Sequence, residues 1–245
     1  MAALEIVPIV STEMHLRNAY VRMPYTSYMV SKNLCYLLGA LRDGSLPVCG
    51  KKKEGSLASD WSGEWLELVA EKAAEEFSIP RDKLKTYSIW DRKSQRPCYR
   101  LKIYSKKIYE RLTEFYPPGD QYYWETPKWI KEAPLDFQKE YVAAFYDAEG
   151  GCRNVKRFLR GETKSMQAWA SFRCKHVGVN EPLQFLQGII NKVGIKSQIY
   201  DSDELVLTGK QNLKRFCAEF PLIHPVKGED LRELLTFFGT VSADA

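Results

Sequence analysis

Two acidic side chains, Asp43 and Glu149, hold equivalent places in two short apolar runs 106 residues apart. Residues 36–44 read YLLGALRDG and residues 142–150 read VAAFYDAEG, each closing on an acid followed by glycine. Each run reads as the end of a buried helix, with Gly44 and Gly150 as left-handed terminators. A carboxylate in a last helical turn meets the negative end of the helix dipole, where a cation is favoured. A fold gains nothing from that placement, whereas a bound metal ion offsets it. Asp-Gly alone is also a turn signal, but two such sites on two apolar helices favour the chemical reading. Gly39 and Ala40 on one run, and Ala143, Ala144 and Ala148 on the other, permit close backbone approach; if the two helices pack side by side, Asp43 and Glu149 converge at one end. Two carboxylates held that close repel unless a divalent cation lies between them. Oxygen ligands with open water positions suit Mg²⁺, and Mn²⁺ or Ca²⁺ can occupy the same site. The chemistry expected of such a pair is metal-assisted phosphodiester hydrolysis.

The elements that position these acids read as a diverged internal repeat, each half running helix, two strands, helix, two strands, helix. In the first half the motif helix covers 31–43 and a hairpin 44–60, with Lys51, Lys52 and Lys53 near its turn. The spacing of Trp65, Leu66, Val69, Ala73 and Phe77 predicts a helix over 63–77, followed by strands at 84–90 and 98–104 and a helix at 106–115. In the second half Asp136 is the expected N-cap of the motif helix. Strands at 151–159 and 166–175 follow, then a helix at 181–193 stopped by Gly194, strands at 196–200 and 204–208, and helices at 210–220 and 229–238. Residues 101–106 (LKIYSK) match 205–210 (LVLTGK) at an offset of 104, close to the offset of the acids. The expected organisation is an N-terminal arm over 1–28, a first half over 29–118, an ordered proline- and aromatic-rich linker over 119–135, a second half over 136–238 and a tail over 239–245.

Charge is concentrated. Residues 81–107 carry Arg81, Lys83, Lys85, Arg92, Lys93, Arg96, Arg100, Lys102, Lys106 and Lys107 against two aspartates, a net of +8. Residues 150–175 carry Arg153, Lys156, Arg157, Arg160, Lys164, Arg173 and Lys175 against Glu162, a net of +6. The whole chain is only +5, so the remainder is acidic. Strand alternation puts Arg100 and Lys102 on one sheet face and Leu101 and Ile103 on the other, and likewise sets Trp169, Ser171, Arg173 and Lys175 against Ala170, Phe172 and Cys174. An apolar face covered by helices and an open cationic face suit a polyanion, and such a sheet can lie along the major groove of DNA.

Other classes recede. Hydrophobic content of 44% supports a packed core. No apolar run reaches the length of a membrane span, and the start lacks a signal-peptide layout. An intracellular protein is expected, cytoplasmic in a prokaryote or organellar, and not secreted. Six cysteines and three histidines show no zinc spacing. The cysteines read as buried small residues, with disulfides left open for a hyperthermophilic source.

The two runs resemble the LAGLIDADG motif, which residues 142–150 fit over all nine positions. Over about 29–236 the chain is similar to single-chain, two-motif LAGLIDADG homing endonucleases. The resemblance implies an α+β fold of two pseudo-symmetric αββαββα units packed through their motif helices, forming a saddle of antiparallel sheets. It implies an intron-encoded monomer that cuts both strands of double-stranded DNA at a long asymmetric site, with Asp43 and Glu149 as its metal-binding acids. It also implies a lysine near each active centre, for which Lys131 and Lys227 are the candidates. The first run departs from the pattern at Leu41, where an acid would stand, and at Arg42. Asp147 holds that sixth place in the second run and reads as a structural hydrogen-bonding residue. Two rivals share the fold: a maturase that binds intron RNA, and a DNA-binding regulator without catalysis. Retention of both acids favours the nuclease.

Overall fold

The computed structural model describes residues 20–22, 29–48, 55–92, 95–162 and 166–240. A short pairing of β1 (Tyr20–Arg22) with β2 (Met29–Ser31) leads into α1 (Lys32–Ala40). Ser31 caps α1, its hydroxyl accepting from the Leu34 N–H at 2.9 Å. From Asn33 to Ala40 the helix is buried on every side, as a helix apolar all round must be. The chain then tightens into a 3-10 turn, Leu41–Asp43. The second motif helix, α5 (Leu135–Glu149), runs straight to its acid. These two helices make the largest interface between any two elements among the described residues. Its closeness rests on Gly39, where a Cβ would stand 2.5 Å from the Tyr141 carbonyl oxygen and 2.7 Å from the Ala144 Cβ. The small residues therefore do what their types suggested.

Each motif helix is flanked by an antiparallel sheet. The first has the order β3 (Gly55–Asp60), β5 (Arg96–Ile103), β4 (Thr86–Asp91); the second has the order β6 (Gly150–Cys152), β7 (Trp169–Arg173), β9 (Glu204–Thr208), β8 (Ser197–Tyr200). The Ser45–Ser56 bridge stands in the first half where β6 stands in the second. Helices α2 (Gly63–Phe77) and α7 (Glu181–Lys192) cover the sheets at equivalent places. The internal match at 101–106 and 205–210 is also structural. An inner strand leads into the next helix in each half: β5 through Tyr104 and the cap Ser105 into α3 (Lys106–Thr113), and β9 through the cap position Gly209 into α8 (Lys210–Glu219). The connector is ordered and contains α4 (Lys128–Glu132). Trp124 is buried there, stacked on Tyr116 with centroids 4.7 Å apart, and its indole N–H donates to the Pro117 carbonyl at 2.7 Å.

Several expectations need correction. Gly44 and Gly150 are not left-handed: their φ values are −103° and −87°, and both carry the chain into extended backbone. Glycine stands there because the space is filled. A Cβ at Gly44 would collide with the Ser56 and Leu57 carbonyls, and one at Gly150 with the ring and carbonyl of Tyr146. Asp136 lies inside the first turn of α5 and Pro134 takes the cap position. Residues 155–159 are not strand but α6 (Val155–Leu159), started by Asn154, whose side chain accepts from the Arg157 N–H. The last helix, α9 (Pro225–Thr240), starts earlier than expected at a proline, whose fixed φ suits a first helical position. No helix of the described residues is long and apolar enough to cross a membrane. The described cysteines, Cys35, Cys98, Cys152, Cys174 and Cys217, are all free, and of them Cys35 is fully buried.

Candidate active site

The acids sit where the two motif helices end. Asp43 closes the 3-10 turn that follows α1, a turn sealed by the Gly44 N–H donating to the Leu41 carbonyl at 2.7 Å. Glu149 is the last residue of α5. Each lines its own groove. That of Asp43 is about 850 Å³ and includes Arg100 of the first sheet and Arg92 just past β4. That of Glu149 is about 520 Å³ and includes Arg173 of the second sheet and Lys175 just past β7.

Burial is the largest force on both acids. It holds the Asp43 carboxyl well above the usual range, and the charge of Glu149 pushes the same way; Lys227 and Arg100 oppose it. Glu149 is likewise raised by burial, with Lys227 and then Arg42 opposing. The two acids thus share one neighbourhood in which their ionised forms are held at a cost.

Lys227, in the first turn of α9, is the cation common to both. Its ammonium donates to the Asp147 and Ala148 carbonyls at 2.6 and 2.7 Å, which are among the last carbonyls of α5 and lack intrahelical partners. The negative end of the helix dipole is therefore met by a lysine of the protein itself. Burial pulls the Lys227 pKa down, against Asp60, Asp147, Asp43 and Glu149, which raise it. Lys131 is not brought to this centre. It lies in α4, and its ammonium pairs with Glu181 at 2.9 Å.

Arg42 is the residue that sequence reasoning noted only as a departure from the motif. It is buried, donates to the Trp124 carbonyl at 2.8 Å, and stacks over the Tyr116 and Phe145 rings. Together with Glu149 it lines the second groove, although it belongs to the first half. Asp147 is structural, as its place suggested. Fully buried, it accepts from the Tyr36 hydroxyl at 2.5 Å and the Ile223 N–H at 2.9 Å, and the Trp65 indole N–H donates to that same hydroxyl at 3.0 Å.

The basic residues divide into open and paired groups. Arg100 projects from β5 opposite buried Leu101, and Lys102, opposite buried Ile103, is half-buried. Lys83, Lys85 and Arg92 are exposed, and Arg96 stacks on Trp61 at 3.8 Å. Arg153 stacks on Trp169 at 5.0 Å. Arg173 pairs with Glu204 at 3.2 Å, while Lys175 is exposed. Lys156 pairs with Glu233 of α9, and Arg157 and Arg160 with Glu162. None of those three lies on a strand: Lys156 and Arg157 are in α6 and Arg160 is its C-cap. Lys51, Lys52, Lys53, Lys93 and Lys164 lie outside the described residues.

Among the described residues no three His, Cys, Asp or Glu side chains converge as metal ligands. The helix ends would offer a metal two carboxylates, Asp43 and Glu149. Hard oxygen donors, few in number, fit Mg²⁺ or Mn²⁺, which keep several waters and take substrate phosphate oxygens as further ligands.

No protein-family model matches the chain. It is 31% identical over 212 residues to homing endonuclease I-ApeI of Aeropyrum pernix, covering 82% of this chain and 86% of the relative. The chain belongs to the LAGLIDADG homing endonuclease family. Solved structures of the family share its fold. I-DmoI, in a complex with DNA and Mn, superposes with a TM-score of 0.51 at 15% identity, covering 77% of this chain and 96% of that one. I-WcaI, bound to its DNA recognition sequence, gives a TM-score of 0.51 at 11% identity, covering 86% of this chain and 94% of that one.

Proposed function

We propose that this LAGLIDADG protein is a site-specific DNA endonuclease that hydrolyses both strands of its target with a divalent metal held by Asp43 and Glu149. The observation that carries the reading is a pair of half-buried carboxylates at the ends of two close-packed helices, each acid opening into a groove with basic side chains. Both acids lie in one chain, so a monomer suffices. I-ApeI, I-DmoI and I-WcaI are homing endonucleases by name, which supports DNA as the substrate.

Hydrolysis adds water across the phosphodiester: a P–O bond forms to the water oxygen, and the bond to the 3′ oxygen breaks. A divalent cation bound between the acids would supply Lewis-acid activation of the water and stabilisation of the leaving oxygen. The carboxylates hold that cation and are themselves relieved of repulsion and burial cost by it. Lys227 places a positive charge beside both acids, where a phosphate gathers negative charge in the transition state. Arg42, which lines the same groove, offsets part of the charge of Glu149. Arg100, Lys102 and Lys175 engage the DNA backbone and orient the duplex, with Lys83, Lys85, Arg92, Arg96, Arg153 and Arg173 flanking them.

The test is a cleavage assay on DNA carrying the uninterrupted allele of the host locus, with Mg²⁺ and with EDTA, for wild type, Asp43→Asn and Glu149→Gln. Metal-dependent double-strand cutting at one site, lost in both variants while binding persists, is the expected result. Tight binding with no cutting by wild type would overturn the nuclease reading, and intron RNA would be the next ligand tried.

A further inference from the structure

A buried histidine links the two halves at the active site. His224 is 3% exposed and stacks on Trp65 of α2 with centroids 5.3 Å apart. It stands one residue before α9, and its Nδ1 accepts from the Lys227 backbone N–H at 3.3 Å. That is the geometry of an N-cap, with an imidazole where a serine or aspartate side chain would usually act. With Nδ1 an acceptor, the ring proton sits on Nε2, which donates to the Asp60 carboxylate at 3.2 Å. Asp60 closes β3 of the first half and is fixed in turn by the Ser62 N–H at 2.6 Å. A continuous path therefore runs from the first sheet through Asp60 and His224 to the backbone of Lys227. It continues from the Lys227 ammonium to the last carbonyls of α5 beside Glu149.

We propose that Asp60 and His224 are positioning residues for Lys227, so that the first half of the molecule sets where the second half's ammonium stands. The proposal rests on the catalytic role given to Lys227 above. A hydrogen-bonded buried ring stacked on an indole has one orientation, and the helix it caps has one starting point. Lys227 lies three residues on, and a shift of its backbone moves the ammonium off its carbonyls. Misplacement by about 1 Å near reacting groups costs about 100-fold in rate.

The experiment measures single-turnover cleavage by the full chain with Mg²⁺, and target affinity in EDTA, for wild type, His224→Ala, His224→Asn, Asp60→Ala, Lys227→Met and the double variant His224→Ala with Lys227→Met. His224→Ala and Asp60→Ala are expected to slow cutting about 10- to 100-fold with affinity within about twofold of wild type. His224→Asn, which can still cap the helix, is expected to recover part of the loss. In the Lys227→Met background His224→Ala should cost nothing further, because there is no ammonium left to place. An equal loss in both backgrounds, or no loss in either, would overturn the proposal, as would a Lys227→Met protein that cuts like wild type. A crystal structure of His224→Ala supplies a readout independent of cutting. Lys227 Nζ should have left the Asp147 and Ala148 carbonyls, and an unmoved ammonium contradicts the proposal even if wild type cuts no DNA. Failure of wild type to cut, with the ammonium displaced as expected, would count against the nuclease reading alone.

Discussion

The two halves finish their motif helices by different means. In the first, α1 tightens into a 3-10 turn and the Gly44 N–H closes it, so the chain's own backbone uses the free carbonyl of Leu41. In the second, α5 stays helical to Glu149 and its last carbonyls take the Lys227 ammonium. The grooves differ as well. That of Asp43 holds Arg92 and Arg100 with Asp91 as its other acid, whereas that of Glu149 sets Arg173 and Lys175 among Asp201, Asp203 and Glu204. Cations are exchanged across the divide. Arg42 of the first half acts on Glu149 beside Lys227 of the second, and Lys227 acts on Asp43 beside Arg100 of the first. The difference teaches that the active centre belongs to the pair of halves. Each acid draws on cations from both halves.

Breaking the exchange at Arg42 should have the largest effect. Arg42→Met removes a buried cation, leaves the Trp124 carbonyl unpaired and strips Glu149 of a partner. Denaturant unfolding is expected to show a loss of about 2–3 kcal/mol. Arg42→Lys keeps the charge but not the planar stacking on Tyr116 and Phe145, and should recover only part of it. Equal stability of wild type and Arg42→Met would remove this residue from the comparison.

The acids give the next effect, through pH. Burial raises the Asp43, Glu149 and Asp147 carboxyls in the folded chain. Below the unfolded range, about pH 4, both states are protonated and nothing is lost. As pH rises from there through the raised folded values, the unfolded chain releases protons that the folded chain keeps, so stability falls. In EDTA the melting temperature of wild type should therefore have fallen, relative to Asp43→Asn and Glu149→Gln, by pH 7. Each kcal/mol recovered by a variant is worth about 2–4 °C at this chain length. Mg²⁺ should raise the wild-type melting temperature and leave the variants where they were. Parallel melting curves for all three proteins would contradict the burial cost.

The smallest effect separates the grooves. Arg100 is exposed on the first sheet, whereas the Nε of Arg173 is already engaged by Glu204, which also accepts from Ser171. Arg100→Ala should reduce the slope of log affinity against log salt by about 1, and Arg173→Ala by less. Equal reductions would mean that Glu204 does not hold the second arginine back.

Much of this was legible in the sequence because it depends on local pattern. The helical spacing over 63–77 and the Gly194 stop lie within single elements, and the structure matches them closely. The close packing of α1 and α5 was readable from Gly39 and Ala144, because small residues have few other reasons to line two apolar helices. What escaped depends on tertiary surroundings. Gly44 and Gly150 looked like left-handed terminators, but the constraint is a carbonyl or a ring from elsewhere in the fold. Residues 155–159 read as strand because their fate is decided by α9, against which Phe158 packs on Phe237 at 5.8 Å. Asn154 before them was the available capping signal. Arg42 carried no local sign that an always-charged side chain would be buried, and Asp60 and His224 meet across 164 residues. The place of Lys131 in the repeat suggests an active-site lysine, but it lies in α4, where it pairs with Glu181.

Strand-resolved cleavage tests most directly whether Asp43 and Glu149 form one shared centre. A target labelled on each strand would be cut by wild type, Asp43→Asn and Glu149→Gln, with Mg²⁺ and with EDTA. Either substitution is expected to slow both strands, by about a thousandfold or roughly 4 kcal/mol of transition-state stabilisation, and EDTA should stop wild type altogether. If each variant silenced one strand and left the other at the wild-type rate, the acids would be two independent sites, and the shared centre would be wrong.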